Sequence, residues 1–158
     1  MASRFVRTGF ALAVAAALGV SGCSGATSVS VVDDPQLEAE FESVLVSGQS
    51  RTLGEVAAAA GVESWDRMYY FRVPVLMSEL NRVMHTPGVT WRNMPGSDAE
   101  GLIVFVSEGQ IVRAVADREP PLYLSGFATS DSYVTPDELA GMPRLAVETA
   151  VTILVLGF

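Results

Sequence analysis

Apolar positions along the chain alternate between two periods, and the punctuation between them is strong. Leu37, Phe41, Val44 and Leu45 recur at helical spacing after Asp34-Pro35, where Asp caps and Pro suits the first helical position, and Gly48 marks the end. Thr52-Leu53-Gly54-Glu55 has the form of a capping box, so a short alanine-rich helix is expected to run to Ala60 and stop at Gly61. Trp65 to Val73 reads as a strand. Trp65, Tyr69, Phe71 and Val73 alternate with Asp66, Met68, Tyr70 and Arg72, Arg67 interrupts the apolar face, and Pro74 closes the segment. Leu76, Leu80, Val83 and Met84 then return to helical spacing, with Ser78 as the candidate cap and Pro87-Gly88 as the stop.

Leu102 to Val106 is an unbroken apolar run, followed by Ser107-Glu108-Gly109-Gln110 and a second run from Ile111 to Ala116. The pattern predicts a hairpin over 102–116 whose first strand is covered on both faces and central in its sheet. Leu122 to Phe127 is expected to return as a third strand. Thr135-Pro136-Asp137-Glu138 repeats the capping-box form and predicts a short helix, and Leu145 to Phe158 a final strand. The order α, α, β, α, β, β, β, α, β favours an α+β domain, an antiparallel sheet packed by short helices.

The first residues follow a different logic. Arg4 and Arg7 precede an apolar run from Phe10 to Val20, and Val20-Ser21-Gly22-Cys23 ends it. Basic, apolar and small-residue parts in this order read as a signal peptide over 1–22. Eleven residues rise only about 16 Å as a helix, roughly half a bilayer core, so a permanent span is disfavoured. Val20-Ser21-Gly22-Cys23 resembles the lipobox of bacterial lipoproteins. That resemblance implies transfer of a diacylglyceryl group to the Cys23 thiol, cleavage before Cys23, and a chain anchored at the extracytoplasmic face of the cell membrane. Two acyl chains suffice for stable attachment without a basic patch. Residues 23–34, rich in Ser, Thr and Gly, are then expected to be a flexible tether, with one domain over 35–158.

Composition narrows the partners. The chain has 158 residues, 18 acidic and 10 basic side chains and a net charge of −8. Cleavage at Cys23 would remove two of the ten basic residues and no acid, leaving −10. So few dispersed cations exclude a nucleic-acid partner, and an acidic body keeps away from anionic headgroups. All ten basic residues are Arg. With the lipobox, this compositional bias resembles a small secreted domain of actinobacterial type.

One Cys and one His leave little for catalysis or metal binding. Cys23 is committed to lipid if the lipobox holds, His85 falls in the last turn of a predicted helix, and no Gly-x-Ser-x-Gly elbow exists. No cofactor is expected. The loop Asn93 to Glu100 lacks the alternating ligands of a calcium loop. The constellation above background is Trp65, Asp66 and Arg67 with Trp91 and Arg92, residue types enriched where proteins recognise partners. The leading expectation is a non-enzymatic, lipid-anchored binding or accessory module for an envelope protein or polysaccharide. One alternative is a surface-tethered cell-wall hydrolase pairing Asp66 with Asp98 or Glu100. Another is a binder of a small apolar ligand in a cavity beneath Leu80, Met84 and Phe105.

Overall fold

A computed structural model describes residues 27–150. The lipobox, Cys23 and the last eight residues lie outside the described residues. Among the described residues, three helices and ten strands make an α+β fold with antiparallel-rich sheets.

The central sheet has the order β6-β5-β3-β8, built from β3 (Arg67–Arg72), β5 (Gly101–Ser107), β6 (Gln110–Asp117) and β8 (Phe127–Ala128). β5 lies inside it, and Leu102 to Val106 are all buried, as an unbroken apolar run requires. The turn between β5 and β6 is tight because Glu108 and Gly109 both take left-handed φ, 49° and 75°, which matches the twist of the flanking strands.

Each face of this sheet has its own core. On one side Met68, Tyr70, Ile103, Phe105 and Val115 meet α1 (Pro35–Ser47), α2 (Leu53–Ala59) and a second sheet. On the other Tyr69, Leu102 and Val104 meet α3 (Met77–Met84) and Trp91. The local signals place α1 and α2 well. The Asp34 carboxylate accepts from the Leu37 N–H, and Thr52 and Glu55 satisfy each other's backbone donors reciprocally. Leu76 stands at the N-cap of α3 and gives no side-chain cap, so Ser78 does not serve.

The second sheet has the order β2-β9-β10-β7, from β2 (Arg51–Thr52), β7 (Leu122–Tyr123), β9 (Tyr133–Leu139) and β10 (Met142–Val147). The helix expected at Thr135-Pro136-Asp137-Glu138 is therefore strand. Ala140 and Gly141 both have positive φ, 51° and 80°, making a two-residue hairpin turn that six ladder pairs and an Arg144–Asp137 ion pair secure. A local capping preference loses to that ladder. Pro136 is tolerated because β2 pairs only with Tyr133 and Val134, leaving the strand an edge where the missing N–H would have pointed. The strand expected over Leu122 to Phe127 divides into β7 and β8, which belong to different sheets.

The tether also needs correcting. β1 (Ser28–Ser30) pairs in parallel with β4 (Thr90–Arg92), Val31 is buried, and Val32 donates to the Ala114 carbonyl and accepts from the Ala116 N–H on β6. Ser28-Val29-Ser30-Val31 alternates as a strand does, so the fold begins before residue 35.

Phe105 is fully buried and meets Trp65 edge-on at 5.1 Å. Phe105→Ala should cost about 3–5 kcal/mol in denaturant unfolding. Val46→Ala, at a position 79% exposed, should stay within about 0.5 kcal/mol.

Candidate functional site

The residues singled out in the sequence do not converge. Trp65 is half-buried on Phe105 in the first core, whereas Trp91, 5% exposed, lies in the second core across the central sheet and donates its Nε1–H to Asn81 Oδ1 at 2.9 Å. Asp66 is occupied by the hairpin: its carboxylate accepts from the Glu108 N–H at 2.7 Å. Arg67 stacks over the Phe127 ring at 4.6 Å. Arg92 is exposed on β4, and its carbonyl accepts from the Val31 N–H. These five side chains form no single surface.

The alternative sites fare no better. Asp66 precedes the Arg67–Val106 pair and Glu100 lies beyond the Arg72–Gly101 pair, at opposite ends of the β3–β5 ladder. At about 3.3 Å per residue that is roughly 20 Å, far beyond the 5–9.5 Å a carboxylate pair needs across a glycosidic bond. Asp98 is tied instead to Arg118, which Asp33 also holds. Leu80 and Met84 face one core and Phe105 the other, so they line no common cavity. His85 is exposed and ends α3 in the left-handed region with φ 55°. Among the described residues no three His, Cys, Asp or Glu side chains are grouped to hold a metal ion.

A different site emerges where the two sheets meet. Arg72, Gly101 and Asp117 form one row across β3, β5 and β6, all on the face of the first core. Gly101 supplies no side chain, and the Tyr70 ring fills the space: a Cβ at residue 101 would lie 2.4 Å from its ring carbon and its hydroxyl oxygen. Crossing over Gly101 lets the Tyr70 hydroxyl donate to Asp117 Oδ2 at 2.8 Å. Asp117 is only 2% exposed. Burial pushes its carboxyl up to about 6, opposed by the hydrogen bonds from Tyr70 and the Leu122 N–H and aided by the charges of Glu38 and Glu100. Burial also raises the Tyr70 hydroxyl, with the Asp117 charge adding to the effect.

Tyr70 forms the inner wall of a cavity of about 250 Å³. Arg72 of the central sheet and Glu100, just before β5, border it, and Leu122 and Met142 of the second sheet line it with Leu124, just after β7. Around its mouth Tyr123, Leu139 and Met142 are 55%, 55% and 64% exposed, an apolar patch at the β9–β10 turn and the neighbouring β7. Arg144 lies over the Tyr123 ring at 4.7 Å while paired with Asp137. Asp117 does not line the cavity, so its raised carboxyl reaches that space only through Tyr70.

No sequence signal announced this arrangement. Tyr70 and Asp117 are 47 residues apart, and only the register through Gly101 brings them together.

Because the folded carboxyl of Asp117 titrates above its ordinary value, its contribution to stability is fully present below about pH 4 and is lost as pH rises through about 6. Asp117→Asn should therefore gain stability relative to the natural protein between pH 4 and 7.5, by an amount of the order of 3 kcal/mol, in unfolding titrations across that range. Gly101→Ala should displace the Tyr70 ring and cost about 1–3 kcal/mol, and in a Tyr70→Ala background the same substitution should cost distinctly less.

Compared with protein-family models, with curated proteins and with solved structures, the chain matches none.

Proposed function

We propose that the chain is a lipid-anchored protein of the extracytoplasmic membrane face whose domain is a non-catalytic binding module, and that its partner, an envelope component, docks at the cavity between the two sheets. The N-terminal Val20-Ser21-Gly22-Cys23, with its basic and apolar lead, supports the anchor. The observation that carries the binding reading is the exposed apolar patch of Tyr123, Leu139 and Met142, continuous with a cavity that holds unpaired charge at its border. Large apolar side chains clustered at a concave opening and rimmed by polar groups mark a place of contact. The acidic body complements the anchor, since it holds the domain off an anionic bilayer and leaves that opening accessible.

Both halves are testable. Cys23→Ala should abolish incorporation of labelled palmitate and release the protein from the membrane pellet; unchanged labelling would refute the anchor. The double variant Leu139→Ser and Met142→Ser should retain stability within about 0.5 kcal/mol, because both side chains are mostly in solvent. It should nevertheless lose retention on isolated envelopes relative to the natural sequence, and equal retention would refute the docking surface.

A further inference from the structure

At the other clefts of the molecule the guanidinium groups already have partners. At the cleft beside Val31 and Met94, Arg118 is held by Asp33 and Asp98. At the cleft over Tyr69 and Met84, Asp66 accepts from a backbone amide and Arg67 stacks on Phe127. The cavity between the sheets differs. Among the described residues, neither Arg72 nor Glu100 takes part in an ion pair or a side-chain hydrogen bond, with each other or with any other group. Both nevertheless border the same 250 Å³ space as Tyr70, whose hydroxyl the Glu100 charge raises and the Arg72 charge lowers.

The polar wall is thus directional. The Tyr70 hydroxyl donates its single hydrogen to Asp117, so toward any other group its oxygen only accepts. Glu100 beside it offers an anion, and Arg72, at the other end of the same ladder rung as Gly101, offers a guanidinium suited to bidentate capture of a carboxylate. Opposite these lies an aliphatic wall of Leu122, Leu124 and Met142. A volume of about 250 Å³ is below the usual range for drug-sized ligands and fits a molecule of about ten heavy atoms.

We propose that this cavity binds an aliphatic α-amino acid as its zwitterion, the ammonium between Glu100 and the Tyr70 oxygen, the carboxylate on Arg72, and the side chain against Leu122, Leu124 and Met142. The inference rests on the reading of this cavity as a binding site and adds a small ligand within it, distinct from the envelope component that docks over its mouth. Nothing covalent is involved. Selectivity comes from the spacing of two opposite charges flanking an apolar wall, since a ligand lacking either charge forfeits one of the two charge-assisted hydrogen bonds.

The test is a titration of the full chain in mild detergent with L-leucine, N-acetyl-L-leucine and L-leucinamide, followed by calorimetry and by amide shifts of residues 70–72, 100–101 and 122–124. L-leucine should bind, and removal of either its ammonium or its carboxylate should weaken binding about tenfold or more. Glu100→Gln should weaken L-leucine by a similar factor and leave N-acetyl-L-leucine unaffected; Arg72→Gln should weaken L-leucine and leave L-leucinamide unaffected. Both substituted side chains are exposed, so folding is not at risk. Equal affinity for all three ligands, shifts confined to other residues, or no binding of L-leucine at millimolar concentration would each overturn the inference. Leu139→Ser alone on envelopes reads the docking surface separately, because Leu139 is 55% exposed and outside the wall of Leu122, Leu124 and Met142, so a failed titration beside a positive envelope result removes the amino acid and keeps the surface.

Discussion

β5 has no solvent face. Every side chain from Leu102 to Val106 must be covered, and in a strand consecutive side chains leave on opposite sides, so the molecule has to build two cores around one ribbon. Ile103 and Phe105 demand the layer formed by α1, α2 and the second sheet. Leu102, Val104 and Val106 demand the layer formed by α3, Trp91 and Val31. The second requirement explains why the chain before α1 is part of the fold. Without β1 and the Val32 bridge to Val115, the flank of β6 and the cover over Ala114 and Ala116 would be open to water.

The same requirement fixes where a cavity forms. The two-sided burial of β5 ends at its first residue, Gly101, where the row continues as Arg72 on one neighbour and Asp117 on the other. Two charged side chains at the margin of an apolar core cannot be packed as the rest of the row is. Asp117 is drawn in and bonded to Tyr70, whereas Arg72 stays exposed. The second sheet approaches this margin through β7 and the β9–β10 hairpin without closing on it, and the remaining space is the cavity.

How much of this was legible in the chain depended on the range of the determining interaction. α1 and α2 were readable because their caps are local: Asp34 with Leu37, Thr52 with Glu55. The β5–β6 hairpin was readable because an apolar run and a Glu-Gly turn are both local too. Thr135 to Glu138 misled because the same four residues satisfy a helix cap on paper and a strand in a ladder, and the partner strand that decides between them begins only at Met142. The candidate surface failed for a related reason. Trp65 and Trp91 have similar chemistry, but which face of the central sheet each one meets depends on register and on the approach of α3, neither of which appears in residue spacing. Tyr70, Gly101 and Asp117 look unremarkable apart, and acquire meaning only as one row with one absent side chain.

That absent side chain has an electrostatic consequence. A buried carboxylate at the end of an apolar strand lowers stability above pH 6, and replacing it by a neutral group of the same shape would relieve the strain of desolvation. Its effect on Tyr70 is less easily replaced. As long as Asp117 is ionised it can only accept, so the Tyr70 proton must point inward and the outward side of the oxygen must accept as well. A neutral serine or water in place of Asp117 would let the hydroxyl turn either way. The buried charge therefore sets the polarity of the cavity wall from behind, without itself lining the cavity, and Gly101 is what gives the ring room to carry that polarity from one strand to the next.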